Sequence, residues 1–335
     1  MDNAILTRYL YFLDEAKYSL LHSLLKKTSF DEVVYWVGEI YHSGFGDDLW
    51  EILWEYYYRY LSIKFKKYEK ILIKEYNLWL KEMLGIEPII KCFNMIYYLK
   101  NIDYEIYFRE KEKLKKIYLP TFSWLNLFDK KYHQFILSIH YKNYQNIRWY
   151  LQREKNINTC FEVTKKYFEL MLNYELKPLD LDAHPYKNKK VILLSLIRYL
   201  FNNDNNNSKI KIKRIPKEIY ENLDLQNKTI REKSEDYKFL GRKRKYYIHD
   251  DIGKYPLARN NYKNYKELYW YNWLYYANRS PIWHWRMEDY DIEIDDKNRE
   301  IIFKNEDEYE EFTEKYDYEP DEQTLETQDK SLLKL

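Results

Sequence analysis

Few residues in this chain have types and spacing that could do chemistry. Asp180, Asp182 and His184 alternate just before Pro185, close enough together to bind a hard cation or to act as acid and base. No second ligand cluster accompanies them, so a metal-assisted hydrolase is the third of three readings. His133 and His140 sit seven residues apart; two helical turns are too far for a simple chelate. The other histidines are His22, His42, His184, His249 and His284, and none falls in a His-Glu-x-x-His or cysteine–histidine ligand pattern. Cys92 and Cys160, the only cysteines, cannot build a disulfide framework or a thiolate zinc site, and a reducing compartment is expected. Glycine is scarce, six in 335 residues, so there is little material for a phosphate-cradling turn; Gly44-Phe45-Gly46 lacks a third glycine and follows a helical pattern. No nucleophile elbow, phosphate loop or kinase set occurs. No catalytic residue, metal ligand or cofactor is assigned, and the chain is expected not to be an enzyme.

Charge is laid out more informatively than the reactive groups. The whole chain carries +2, from 56 Lys+Arg against 54 Asp+Glu, yet residues 286–322 hold 17 acids and five bases, a net −12. Residues 1–285 therefore carry +14. Within them, 209–245 contain 13 Lys or Arg and six Asp or Glu. Lys209, Lys211 and Lys213, followed by Arg214, share one face if extended; Arg242, Lys243, Arg244 and Lys245 form a second cluster. Such a patch attracts phosphates by releasing condensed counterions, and matches basic runs used for nuclear import. The favoured reading is a solvated face paired with the acidic C-terminal region, with nucleic-acid contact and then an acidic protein partner as the alternatives. Asp289, Asp291, Glu293 and Asp295 alternate; on a strand they would share a face, a solvated acidic edge that discourages sheet aggregation.

Aromatics are the third resource, with 39 tyrosines and 10 tryptophans. Tyr, Lys, Asn and Ile have A/T-rich codons, so genome bias is the favoured account of the abundance, ahead of selection for stacking on bases. The run Tyr269-Trp270-Tyr271-Asn272-Trp273-Leu274-Tyr275-Tyr276, then Trp283 and Trp285, is dense enough to cover both sides of a helix. A core is the favoured reading; an interface using Trp270, Trp273, Tyr276, Arg279 and Trp283 is the alternative. Arg279 and Arg286 flank the block and are placed to stack on it.

The elements that must hold these residues are mostly helices. Leu6, Leu10, Leu13, Leu20 and Leu24 recur at helical spacing. Ser29 with Glu32 fits a capping box opening a second helix, which should stop near Ser43-Gly44. Asp47 or Asp48 can cap a third, and further helices are expected near 64–84, 88–99, 101–117, 130–153, 157–173, 189–202 and 262–278. Pro178 to Lys190 should be a loop, and Asn202 to Ser208, a polar low-complexity stretch, is the best boundary. Ile292-Glu293-Ile294, Asp295-Asp296-Lys297-Asn298 and Glu300-Ile301-Ile302-Phe303 suggest a β-hairpin, and Asn305 with Glu308 an N-cap. The expected fold is mainly α: a helical-hairpin array over 1–205, a smaller mixed α/β region over 206–318, and a flexible tail over 319–335. Residues 1–15 lack the pattern of a secretory signal, and no uncharged apolar run approaches the roughly 18 residues a membrane helix needs, so a soluble protein is expected.

Several phrases stand out as family-like. They are Tyr11-Phe12-Leu13-Asp14-Glu15-Ala16-Lys17-Tyr18-Ser19-Leu20, Glu39-Ile40-Tyr41-His42-Ser43-Gly44-Phe45, Leu53-Trp54-Glu55-Tyr56-Tyr57, Tyr269 to Trp273 with Ser280-Pro281-Ile282-Trp283, and Tyr318-Glu319-Pro320-Asp321-Glu322-Gln323-Thr324 with Glu326-Thr327-Gln328. These resemble an uncharacterised protein family of giant nucleocytoplasmic large DNA viruses (mimivirus-like). The likeness covers both ends, is weaker between them, and carries no catalytic motif. It implies a viral origin and a place in the infected host, mainly the cytoplasm as viral factory or virion, with the nucleus as an alternative; it implies no reaction. The leading expectation is a non-enzymatic scaffold or adaptor holding a viral or host protein. The second is a nucleic-acid-binding accessory factor in viral replication or gene expression, acting through 209–245.

Overall fold

Apolar residues at helical spacing dominate the chain, and the fold is mainly helical. The computed structural model describes residues 4–82, 85–99, 122–176, 181–201, 214–228 and 271–316. Among them run α1 (Leu13–Lys26), α2 (Phe30–His42), α3 (Gly46–Tyr56), α4 (Lys66–Glu82), α5 (Glu87–Tyr97), α6 (His133–His140), α7 (Tyr144–Arg153), α8 (Ile157–Leu172), α9 (Lys189–Phe201) and α10 (Lys217–Lys228). Then follow α11 (Trp273–Ala277), α12 (Pro281–Met287), a β-hairpin of β1 (Ile292–Asp295) and β2 (Glu300–Phe303), and α13 (Glu306–Tyr316). Among the described residues no helix is long and apolar enough to cross a membrane.

Local chemistry explains most boundaries. Ser29 Oγ accepts the Glu32 N–H at 3.2 Å and opens α2; the reciprocal half of the capping box is not made, since Glu32 Oε1 has no hydrogen-bond partner. α2 stops at Gly44, whose φ of +93° is the left-handed conformation that glycine adopts without a Cβ clash. Asn143 and Asn156 cap α7 and α8 through side-chain oxygens on the Asn146 and Thr159 N–H groups, each at 3.2 Å. α3 begins at Gly46, so Asp47 and Asp48 lie in its first turn, where negative charge suits the helix dipole.

Two expectations need correction. Leu6 and Leu10 belong to no helix: residues 4–12 form a loop closed by an antiparallel Leu6–Phe12 bridge, with Leu10 at φ +59°. Their leucines are buried from that loop, so helical spacing here reflected burial alone. The stretch 130–153 is two helices, divided where Lys142 turns left-handed and Asn143 caps the next. The expected helix 101–117, the first part of 262–278 and the tail 319–335 lie outside the described residues.

Packing groups the described residues into two compact units. One compact unit takes the described residues of Met1–Ile52, Tyr76–Tyr98 and Lys211–Leu335; the other takes those of Leu53–Glu75 and Leu99–Ile210. The first unit is closed by long-range contact. Ala4, Leu6, Leu10 and Phe12 share a core with Trp273, Tyr276, Trp283, Met287, Phe312 and Tyr316. Trp283 Nε1 donates to Thr7 O at 2.9 Å, and α1 packs on α2, which packs on α5. In the second unit α6 packs on α7, and α7 and α8 on α9. α9 also meets a π-helical turn at Tyr57–Leu61 that continues α3.

Candidate functional site

The residues singled out for interaction are mostly core. Trp273, Tyr276 and Trp283 are 5%, 1% and 0% exposed, so these rings stabilise the first unit and offer no face to a partner. Arg279 does what the flanking arginines were placed to do: its guanidinium lies 5.0 Å from both the Tyr275 and Tyr276 ring centroids and also donates to Ala4 O at 3.4 Å. Arg286 covers Trp283 at 4.4 Å and Tyr316 at 4.9 Å. Trp270 lies outside the described residues, as do Lys209, Lys211, Lys213, Arg242, Lys243, Arg244 and Lys245; Arg214 is exposed ahead of α10.

Histidine and cysteine chemistry is committed elsewhere. Asp180 lies outside the described residues, and Asp182 is exposed, pairing with Lys189 and accepting from Asn158 Nδ2 at 2.8 Å. Hydrogen bonding to Lys189 and Asn158 holds its carboxyl below the usual range. His184 turns inward. Its Nδ1 accepts the Tyr186 N–H at 3.0 Å, so its proton sits on Nε2, 2.8 Å from Tyr58 Oη; Tyr58 in turn donates to Glu69 Oε1 at 2.6 Å. Both ring nitrogens are thus used, and His184 cannot ligate a metal without breaking one of these bonds. Burial lowers its pKa, and burial with Glu69 raises that of Tyr58, so both stay neutral. Trp54 and Tyr186 pack around this buried relay. His133 Nε2 contacts Phe128 O and His140 Nδ1 contacts Tyr167 Oη, each at 3.0 Å, so the two face different partners. Burial pushes the Cys160 thiol up to about 12, keeping it an unreactive thiol.

The hairpin is the feature that reaches outward. Asp295 closes its turn by accepting the Lys297 and Asn298 N–H groups at 2.8 and 3.0 Å, which lowers its pKa. Arg299 completes the turn at φ +61°. Ile292 pairs with Phe303 and Ile294 with Ile301 across the strands. Ile292, Ile301 and Phe303 pack inward on the first unit's core. By alternation, Glu293, Asp295, Glu300 and Ile302 form the outer face, with Ile302 directly opposite Glu293 and 45% exposed. The row expected to include Asp289 and Asp291 is shorter on the strand, because those two precede β1; they pair with Lys315 and Lys304. On α13, Asn305 accepts the Glu308 N–H at 2.9 Å, and Phe312 is fully buried. Over residues 288–316, eleven carboxylate residues are exposed against three lysines, and the exposed apolar side chains Ile294, Ile302 and Tyr309 are set among them.

Among the described residues no group of three or more His, Cys, Asp or Glu is placed to hold a metal ion. No protein-family model, curated protein or solved structure matches the chain.

Proposed function

We propose that this protein is a non-enzymatic adaptor that holds a basic protein partner on the outer face of its C-terminal hairpin. The observation that supports this reading is Ile302, an apolar side chain left 45% exposed opposite Glu293 and beside Glu300, on a segment whose exposed carboxylates far outnumber its lysines. Charge steers such a partner and the apolar contact retains it. The commitment of His133, His140 and His184 to internal hydrogen bonds fits a protein without a reaction centre. The resemblance of both ends to a giant-virus family supports a viral or host partner in the infected cytoplasm, at the factory or in the virion.

Affinity capture from cells expressing the chain, with and without nuclease, tests the proposal. The partner should survive nuclease, and it should be lost on Ile302→Ser combined with Glu293→Lys and Glu300→Lys. The same proteins recovered with wild type and variant would refute the assignment. A second reading, a nucleic-acid-binding accessory factor in viral replication or expression, is favoured by the excess of 13 basic over six acidic residues in 209–245. Nuclease-sensitive capture, weakened by substituting Lys209, Lys211, Lys213 and Arg242 to Lys245, would favour that reading.

A further inference from the structure

α4 sorts its charges by face. From Lys64 to Glu75 the chain carries five lysines, Lys64, Lys66, Lys67, Lys70 and Lys74, and two acids, Glu69 and Glu75. All five lysines are exposed. Both acids turn away: Glu69 binds the buried Tyr58 hydroxyl at 2.6 Å, and Glu75 is only 3% exposed. Lys67, Lys70 and Lys74 follow one another at three and four residues, so they lie on one side of the helix over about 10 Å. Among the described residues no carboxylate lies within ion-pair distance of these three. Lys66 stands 4.3 Å from the Tyr199 ring centroid and extends the positive charge to the end of α9.

Like charges three and four residues apart destabilise a helix, and an ordinary solvated helix relieves this with glutamates on the same face. Here the two available glutamates are spent inside. The described residues of this second unit also carry a net positive charge, with 18 Lys or Arg against nine Asp or Glu. The stripe presents lysine only: no arginine lies between Lys67 and Lys74, and the one aromatic residue there, Tyr68, is fully buried and cannot anchor a protein interface. Lysine is depleted in protein interfaces, whereas as a mobile point charge it suits a phosphate without demanding a fixed geometry.

We propose that the Lys67–Lys70–Lys74 face of α4 binds the phosphate backbone of nucleic acid without reading its sequence. It shares no residue with the hairpin or with 209–245. Each lysine neutralises one phosphate and releases condensed counterion, so binding weakens steeply as salt rises.

The test measures the affinity of the full chain for a labelled 24-base-pair DNA duplex, and for one of its single strands, by fluorescence anisotropy between 50 and 200 mM salt. The triple variant Lys67→Gln, Lys70→Gln, Lys74→Gln keeps helix-forming residues throughout. It should lower the slope of log K against log salt by about 2.7 on the duplex, or by about 2 on the single strand, according to which form occupies the face. A control, Lys217→Gln, Lys297→Gln, Lys304→Gln, removes the same net charge elsewhere and should change the slope by less than about one contact's worth. Circular dichroism identical to wild type establishes that both variants are folded. Equal slope changes in the two variants, an unchanged slope in the α4 variant, or no duplex or single-strand binding at 50 mM salt would overturn the proposal. So would tighter binding to polyglutamate than to either DNA, since that would assign the face to an acidic protein.

Discussion

Glu39 and Arg8 form a buried ion pair whose removal has a calculable cost. Their side chains are 0% and 4% exposed. Glu39 Oε2 accepts from Arg8 Nε and Nη2, both at 3.3 Å, and Glu39 Oε1 accepts the Tyr9 N–H at 2.8 Å. Arg8 N donates to Ser43 Oγ at 2.7 Å, so the pair fastens the loop at residues 4–12 to the end of α2. Glu39→Gln keeps an acceptor for Tyr9 but removes the carboxylate charge set against the buried Arg8 guanidinium. Losing one partner of a buried pair costs about 3–5 kcal/mol. At about 2–4 °C per kcal/mol for a domain of this size class, the first unit should melt about 6–20 °C lower. Arg8→Met strands the Glu39 carboxylate and should cost a similar amount. The double variant Arg8→Met/Glu39→Leu removes both charges and should recover most of the loss, because a pair replaced by apolar groups of like volume is often neutral or stabilising. Calorimetry and urea unfolding followed by tryptophan fluorescence measure the cycle. Additive losses in the double variant, or less than about 1 kcal/mol for Glu39→Gln, would refute the idea that the pair acts as a desolvated unit.

Other perturbations have equally definite outcomes. Gly44→Ala places a Cβ 2.5 Å from Pro281 Cβ at a left-handed φ, so it should destabilise the first unit by at least about 1–2 kcal/mol in chemical unfolding. Burial and the Arg8 charge hold His42 at about 3 against an ordinary value near 6.5. Its folded pKa lies below its unfolded one, so its contribution is complete above pH about 6.5 and is lost as pH falls toward 3; His42→Asn should flatten stability between pH 5 and 7. Cys160, pushed up to about 12, should resist alkylation at pH 8 in the folded chain and react only on unfolding, as mass spectrometry of the modified peptide will show. Tyr58→Phe deletes the central hydroxyl between His184 and Glu69, and urea unfolding should register a loss of about 1–3 kcal/mol.

The sequence revealed the parts of the fold that depend on neighbours along the chain. Ser29, Asn305 and Gly44 acted at the positions their chemistry suggested, and the Asp-rich turn between Ile294 and Glu300 closed the hairpin. Burial made by distant partners was legible in amount but not in form. Leu6 and Leu10 had the spacing of a helix, yet Trp283 and its neighbours accept them from a loop, a pairing no local pattern records. For the same reason the aromatic block could be recognised as core or interface, and packing decides core for Trp273, Tyr276 and Trp283. The relay from His184 to Tyr58 crosses 126 residues and left no spacing signal. The α4 stripe did leave one, Lys67, Lys70 and Lys74 at three and four residues, but its meaning depends on where Glu69 and Glu75 point.

The Thr7–Trp283 hydrogen bond spans 276 residues, and this separation has a consequence for biosynthesis. At about 5–20 residues per second, a ribosome that has made Thr7 needs roughly 14–55 s to make Trp283. Throughout that interval Leu6, Leu10 and Phe12 lack the side chains that enclose them, and they stay available to chaperones or to neighbouring nascent chains. Residues 53–75 and 99–210 are all made before Trp283, so the second unit can mature first while the first remains open. Premature termination before residue 273 would therefore expose the N-terminal residues as well as remove the missing ones, and a product of that kind should aggregate or be degraded.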